Sequence, residues 1–242
     1  MKVVACYNVK GGVGKSTLAA HLAWASATCS ARRTLLWDLD PQGGGGFLLG
    51  VERHSGAEAS AWLESGNVDR LPVVSTAFPL LDVLPADLSL RKADRLLAKI
   101  GKKRRLAKLT AALAERYDRI ILDCPPVISE LSHQIIRAAD VIVVPLTASP
   151  LARRALDHLL DDLRSNLGKH GPVLPVFAMY DARRKLHLEA HAEHPDWPTI
   201  PMASVMERMG VHHQPVGISA PRSAAATSIT NLWAGIERKL NG

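Results

Sequence analysis

The sequence predicts a doubly wound α/β domain, a mostly parallel sheet with helices on both faces. Three observations carry this: apolar runs without polar alternation, amphipathic stretches between them, and a glycine-rich turn joining the first run to the first helical stretch. Strands that are apolar throughout belong to sheets covered on both faces, because neither face meets water. In chain order, Val3 to Tyr7 reads as a strand, Ser16 to Ala27 as a helix, and Thr34 to Trp37 and Arg119 to Leu122 as strands. Val141 to Val144 and Val173 to Ala178 read as two more buried strands, and Leu151 to Leu167 and Ala224 to Leu240 as helices. No internal repeat, Ser/Gly-rich linker or low-complexity segment divides the chain, so residues 1–242 are expected to form one domain.

Composition narrows the function classes. Of 242 residues, 47% are hydrophobic and 22% charged, which excludes a disordered tail or a fibre. No apolar run approaches the ~20 residues of a spanning helix, and Val3-Val4-Ala5-Cys6 is too short for a signal sequence, so a soluble cytoplasmic protein is expected. Cys6, Cys29 and Cys124 are too scattered for a disulfide scaffold or a four-cysteine metal site. The net charge is +7, and it is concentrated: Arg91 to Lys108 holds nine basic residues against Asp94 alone. A local surplus of this kind points to a polyanionic partner.

The chemistry begins where the first strand ends. Gly11-Gly12-Val13-Gly14-Lys15-Ser16 lies between a strand and a helix, where a glycine-rich loop can wrap phosphates with its backbone N–H groups. Lys15 supplies a point charge to the β and γ phosphates, and Ser16 a hydroxyl ligand for Mg²⁺. Asp38 and Asp40 stand two residues apart at a strand's end beside the nucleotide crevice and can do different work, one on metal waters and the other on the attacking water.

Lys10, directly before Gly11, is not required by an ordinary phosphate loop. Lys10-Gly11-Gly12-Val13-Gly14-Lys15-Ser16-Thr17 resembles the deviant Walker A motif of the ParA/MinD family of ATPases. Leu36-Trp37-Asp38-Leu39-Asp40-Pro41-Gln42-Gly43 resembles that family's second motif, and Tyr117-Asp118-Arg119-Ile120-Ile121-Leu122-Asp123-Cys124-Pro125-Pro126 its Walker B strand and switch. Met179-Tyr180-Asp181-Ala182-Arg183 is similar to a further ParA segment, so the resemblance runs along nearly the whole chain. It implies a P-loop NTPase of the deviant Walker A class, with ATP and Mg²⁺ as cofactors.

The resemblance also implies roles. Lys10 would reach across a homodimer to the partner's nucleotide, as a lysine acting in trans. Asp40 would position or activate the attacking water, while Asp38 and Asp123 support the Mg²⁺ shell around Ser16. Pro201 and Met202, with Asp181, would border the adenine. Short ParA proteins bind DNA without sequence preference as ATP dimers, and Arg183 falls at one of the basic positions, extended here by Arg184 and Lys185. The arginine the family usually has after Ile200-Pro201 is missing; the chain reads Met202-Ala203-Ser204-Val205, with Arg208 later.

The residues themselves favour a second DNA site. Arg91, Arg95 and Lys99 recur at four-residue spacing opposite Leu96, Leu97 and Ile100, and Lys102, Lys103, Arg104 and Arg105 lengthen this basic stripe. With no aromatic interleaved, the stripe suits phosphate contact rather than base stacking. His187, His191 and His194 share a helical face that lacks a completing ligand and reads as solvated, and His212-His213 is as weak. The expected function is a ParA-like positioning or segregating ATPase on the nucleoid, released by a separate adaptor that stimulates hydrolysis. With the first strand starting at residue 2, no operator-binding domain is expected ahead of it. The alternative is a membrane-surface ATPase like MinD, but Leu232, Trp233, Ile236 and Leu240 read as the domain's own last covering helix. A membrane partner is not expected.

Overall fold

Apolar runs such as Arg-Ile-Ile-Leu-Asp at 119–123 and Val-Ile-Val-Val-Pro-Leu at 141–146 are buried along their whole length, which fixes them in the middle of a covered sheet. In the computed structural model, residues 1–52, 59–69, 71–101 and 104–241 are described, without the side chains of residues 59 and 60. The chain runs through β1 (Lys2–Cys6), α1 (Lys15–Cys29), β2 (Thr34–Asp38), α2 (Gly44–Leu48), α3 (Ala59–Ser65), β3 (Val74–Ser75) and β4 (Leu81–Leu84). A 3-10 turn at Leu88–Lys92 leads into α4 (Ala93–Ile100), followed by α5 (Arg105–Ala112), β5 (Arg119–Asp123), α6 (Glu130–Ala138), β6 (Val141–Leu146) and α7 (Pro150–Asp162). Then come β7 (Val173–Tyr180), α8 (Lys185–Glu193), β8 (Thr199–Pro201), α9 (Ser204–Glu207), α10 (Met209–His212), α11 (Val216–Ser219) and α12 (Ala224–Asn241).

The sheet order is β3-β4-β2-β5-β1-β6-β7-β8, with β3 antiparallel to β4 and the other pairings parallel. β1 therefore ends between β5 and β6, the crevice where such sheets bind ligands. One apolar core lies on each face. α1 and α12 cover one, and α3 to α7 the other. Leu232, Trp233, Ile236 and Leu240 of α12 are all in the first of these cores, so that stripe is a covering face.

Two expected elements differ in detail. The helix from Leu151 is α-helical to Asp162, and its last turn, Leu163–Leu167, widens into a π-helix. The basic segment is not one helix: Gly101, at φ 63, ends α4, and α5 starts afresh at Arg105. Within α4 the expected sidedness holds, with Leu97 buried, Leu96 and Ile100 half-buried, and Arg95 and Lys99 exposed; Arg91 is exposed in the preceding turn. Among the described residues, no helix is long and apolar enough to cross a membrane.

Candidate nucleotide site

The loop after β1 is braced by Asn8. Its Nδ2 donates to Pro145 O at 2.8 Å, and its Oδ1 accepts from Lys10 N at 2.9 Å, tying the loop's start to the end of β6. Gly12 and Gly14 have φ of 72 and 84, a region where a Cβ is strained. Gly14 opens α1 with no side-chain cap, so the first-turn amides point into the crevice with the positive end of the helix dipole. Lys15 folds back over the loop, its Nζ donating to Lys10 O at 3.0 Å. Burial pushes this ammonium down from its ordinary range, and the charges of Asp123 and Asp40 hold it partly up. Lys10 is half-buried at the loop's start.

Facing the loop are the ends of β2 and β5, where Asp38 and Asp123 are register partners. Asp38 accepts from Asp40 N at 3.1 Å and Gly46 N at 3.0 Å, yet burial dominates and pushes its carboxyl up to about 7. Asp123 is completely buried, and neither of its oxygens has a hydrogen-bond partner. Burial and the charge of Asp38 push it well up, against the smaller pull of the nearby Ser16 hydroxyl and Lys15 ammonium. The α2 backbone closes over this group. A Cβ on Gly45 would lie 2.9 Å from Asp123 Oδ2 and 3.2 Å from Asp38 Oδ2, and one on Gly44 would lie 3.1 Å from Ser16 Oγ. Two buried carboxylates, one of them with both oxygens unpartnered, beside a hydroxyl form the oxygen donor set that suits a hard divalent cation such as Mg²⁺.

Asp40 turns the other way: β2 ends at Asp38, so Asp40 lies beyond the strand and does not keep the shared face that an i, i+2 pair has within one. Its Oδ1 accepts from Gln42 N at 3.0 Å, and it lines a separate cavity of about 370 Å³ with Pro125, Pro126 and Arg91. A second cavity, about 160 Å³, abuts the loop and is walled by Gly14, Thr17, Met179, Pro201, Met202 and Glu207. Met179 has a left-handed φ of 53 at a bulge in the β7–β8 pairing. Pro201 and Met202 thus line a cavity beside the loop, and Asp181 does not. Its carboxylate accepts from Arg183 N, Nε and Nη2 at 3.0, 2.9 and 2.9 Å, and the guanidinium holds it down at about 2. Asp181 is a turn former.

The basic residues divide. Arg104 and Arg184 are exposed, Arg183 is exposed but turned onto Asp181, and Lys185 reaches Glu189 at 3.6 Å. Lys102 and Lys103 lie outside the described residues. Arg105 departs from the expected stripe: its Nη2 donates to Glu64 O at 2.7 Å, so the guanidinium closes the end of α3. The α8 histidines are not a solvated face either. His187 is buried and its Nδ1 accepts from Asp181 N at 2.9 Å, His191 packs edge-on against Phe177, and His194 stacks on Trp197 at 4.0 Å. The aromatic residues of β7 and of the turn before β8 draw that face inward.

Asn8, Glu207 and the glycines of α2 were not singled out from the sequence, and Met179 was named only as the start of the segment that runs to Arg183. Asn8 and the run Gly43 to Gly46 left a signal, a polar residue ending an apolar strand and four glycines after the Asp-Pro-Gln turn; Glu207 left none.

A lysine-bearing glycine loop at the switch point of a parallel sheet, opposite a buried carboxylate pair, defines a P-loop nucleotide-binding protein. The AAA domain family matches residues 1–169. The chain is 30% identical to the sporulation initiation inhibitor protein Soj of Bacillus subtilis over 247 residues, covering 96% of each protein. It is 34% identical over 197 residues to the chromosome partitioning protein ParA of Caulobacter vibrioides, covering 77% of this chain and 72% of that one. Among solved structures it is similar to an ATP complex of a McdA variant from Cyanothece, with TM-score 0.84 and 24% identity over 100% of this chain and 96% of that one. It is also similar to cobyrinic acid a,c-diamide synthase from Mycobacterium smegmatis with a bound ATP analogue and magnesium, with TM-score 0.80 and 26% identity at the same coverage. The chain belongs to the ParA/MinD family of deviant Walker ATPases, and its Lys10 and Lys15 stand in that family's loop motif.

Proposed function

We propose that this protein is an ATP-dependent dimerising switch that binds DNA without sequence preference and positions or segregates a cargo. The observation that supports this most is the pairing of Lys15 with the Ser16, Asp38 and Asp123 cluster, behind a second lysine at the loop's start. In this reading Gly11 to Thr17 hold the phosphates of ATP, and the cavity walled by Pro201 and Met202 takes the adenine. Ser16 ligates Mg²⁺ directly, with Asp38 and Asp123 behind it; the cation supplies charge neutralisation on the phosphates. Asp40, at the rim, orients the attacking water. Lys10 contacts the nucleotide of a second copy of the chain, so hydrolysis depends on the dimer. Arg183, Arg184 and Lys185, with the exposed side of α4 and the segment Lys102 to Arg104, carry the phosphate contacts to nucleoid DNA. A separate adaptor protein raises slow basal hydrolysis and releases the complex. The α12 stripe lies in the core, which disfavours the membrane-surface reading.

The test is DNA affinity in three states. ATP with Mg²⁺ is expected to strengthen binding to duplexes of unrelated sequence, ADP to leave it weak, and Lys15→Ala to remove nucleotide binding and the enhancement together. If ATP alters neither oligomeric state nor DNA affinity, the reading fails.

A further inference from the structure

Three glycines open a helix that does not stand by itself. α2 is Gly44-Gly45-Gly46-Phe47-Leu48, and glycine is the poorest helix former after proline, in a helix far shorter than a self-supporting one. Two anchors hold its start: Gly46 N donates to Asp38 Oδ2 at 3.0 Å, and Gly43 N to Asp40 O at 2.9 Å. Its other end is held by His213. The ring Nδ1 lies 2.7 Å from Phe47 O, which makes that nitrogen the donor, since a carbonyl only accepts. The same ring meets the Phe47 ring edge-on, with centroids 5.0 Å apart and planes at 87°. His213 does this from the end of α10 with a left-handed φ of 54, a backbone state that disfavours any residue with a Cβ. Glycine would suit the backbone better there, but would reach nothing.

His213 belongs to a segment fixed at both ends. Ala203, Met206 and Glu207 line the cavity beside the phosphate loop, and Val216 N donates to His21 Nε2 of α1 at 3.1 Å. We propose that His213 is a positioning residue, a latch that holds α2 in the shape that sets Gly44 and Gly45 against Ser16, Asp38 and Asp123. It thereby links the base cavity to the cation cluster. This rests on the reading of that cluster as the Mg²⁺ site. The latch works because α2 has little helical preference of its own, so contacts at its two ends decide whether it forms. Occupancy of the base cavity orders residues 203–213, and the ring of His213 passes that order to Phe47.

Three variants test it: His213→Ala, His213→Asn and His213→Gly. Asparagine keeps a side-chain N–H donor and tolerates a left-handed φ, whereas glycine relieves the backbone and removes the donor. Amide hydrogen exchange of residues 46–51 without nucleotide is expected to quicken about tenfold in the Ala and Gly variants and to stay near wild type in the Asn variant. Resistance to urea should be unchanged or raised in the Gly variant, which separates latching from overall stability. The Mg²⁺ concentration for half-maximal ATP turnover should rise several-fold in the Ala and Gly variants and return with Asn. Unchanged exchange at 46–51 in the Ala and Gly variants would overturn the latch. Faster exchange with an unchanged Mg²⁺ requirement would overturn the link to the cluster. If the wild type hydrolyses no ATP, it is the Mg²⁺ reading that fails, and the exchange measurement alone decides the latch.

Discussion

His21 offers a measurement of what the site's scaffold costs in acid. It lies inside α1, completely buried, with Nδ1 2.7 Å from Thr17 O and Nε2 accepting from Val216 N at 3.1 Å. These two bonds require the neutral ring with its proton on Nδ1. Burial opposes charging and pushes the ring from 6.5 down to about 4, with the Thr17 carbonyl offsetting part of the effect. The unfolded chain takes up this proton near 6.5 while the folded protein does not, so stability contributed above that pH is lost as the pH falls toward 4. At about 1.4 kcal/mol per pH unit, the loss is about 3 kcal/mol. Asp38 works in the opposite sense: its folded carboxyl is raised from 3.8 to about 7, so the stability it contributes is full in acid and lost as the pH rises through 7. The raw profile therefore mixes the two, and the difference between wild type and His21→Gln isolates the histidine. Glutamine can donate to Thr17 O and accept from Val216 N without titrating. Urea midpoints followed by circular dichroism from about pH 8 to about pH 4, multiplied by the common m value, give that difference. It is expected to be constant above neutrality and to shift by about 3 kcal/mol in favour of the variant in acid. A difference that stays flat through the acid range would refute the argument.

Asp40→Ala is expected to bind ATP and lose turnover, so it should trap the ATP state; proteins that co-purify with it would report the cargo or adaptor, and an unchanged hydrolysis rate would remove Asp40 from the mechanism. Lys10→Ala should bind nucleotide as a monomer but fail to dimerise with ATP and Mg²⁺, which light scattering decides; a normal ATP dimer returns Lys10 to the surface. For duplex DNA, log K should fall linearly with log salt by about 0.9 per phosphate neutralised. Neutralising Arg91, Arg95 and Lys99 together is expected to lower that slope by more than neutralising Arg183, Arg184 and Lys185, with dimerisation intact in both; wild-type slopes in both would remove the basis for DNA binding.

The order of elements was legible because the central strands are apolar without interruption and the phosphate loop carries its own signature. β4 and the short β3 were not, since Leu81–Leu84 is a four-residue run and Val74–Ser75 makes only an edge pairing. The grouping of Ser16, Asp38 and Asp123 was readable, but the backbone that closes over it was not. A run of four glycines reads as a loop, and only contacts from distant residues, Asp38 at one end and His213 at the other, make part of it a helix. Asp181 and Arg105 were misplaced for a shared reason: a charged residue's pattern in sequence does not reveal which nearby carboxylate, guanidinium or helix end will engage it. The α8 histidines show the same limit, because their periodicity gives one face but not whether water or Phe177 and Trp197 cover it.

The same pairing reorders the two basic surfaces. Arg183 enters any phosphate contact already bound to Asp181 by two guanidinium bonds, and a carboxylate within 2.9 Å repels the phosphate that would replace it. Lys185 has Glu189 nearby in the same way. An exposed pair of this kind is weak in water, so it can open, but each opening subtracts from what the contact with DNA returns. Among the described residues, Arg91, Arg95 and Lys99 have no carboxylate within ion-pair distance, while Leu97 beneath them is anchored in the core and Asp94 on the same helix accepts from Leu131 N at 2.9 Å. Their charges stand on a fixed helix and the turn that leads into it, with nothing to displace but water and counterions, the condition under which counterion release yields its full salt dependence. Asp94 also ties that helix to the first turn of α6, just beyond Pro125 and Pro126, so under the proposed function phosphates drawn to α4 would pull on an element joined to the segment that follows β5, whereas those at Arg183 would pull on a turn closed by its own carboxylate.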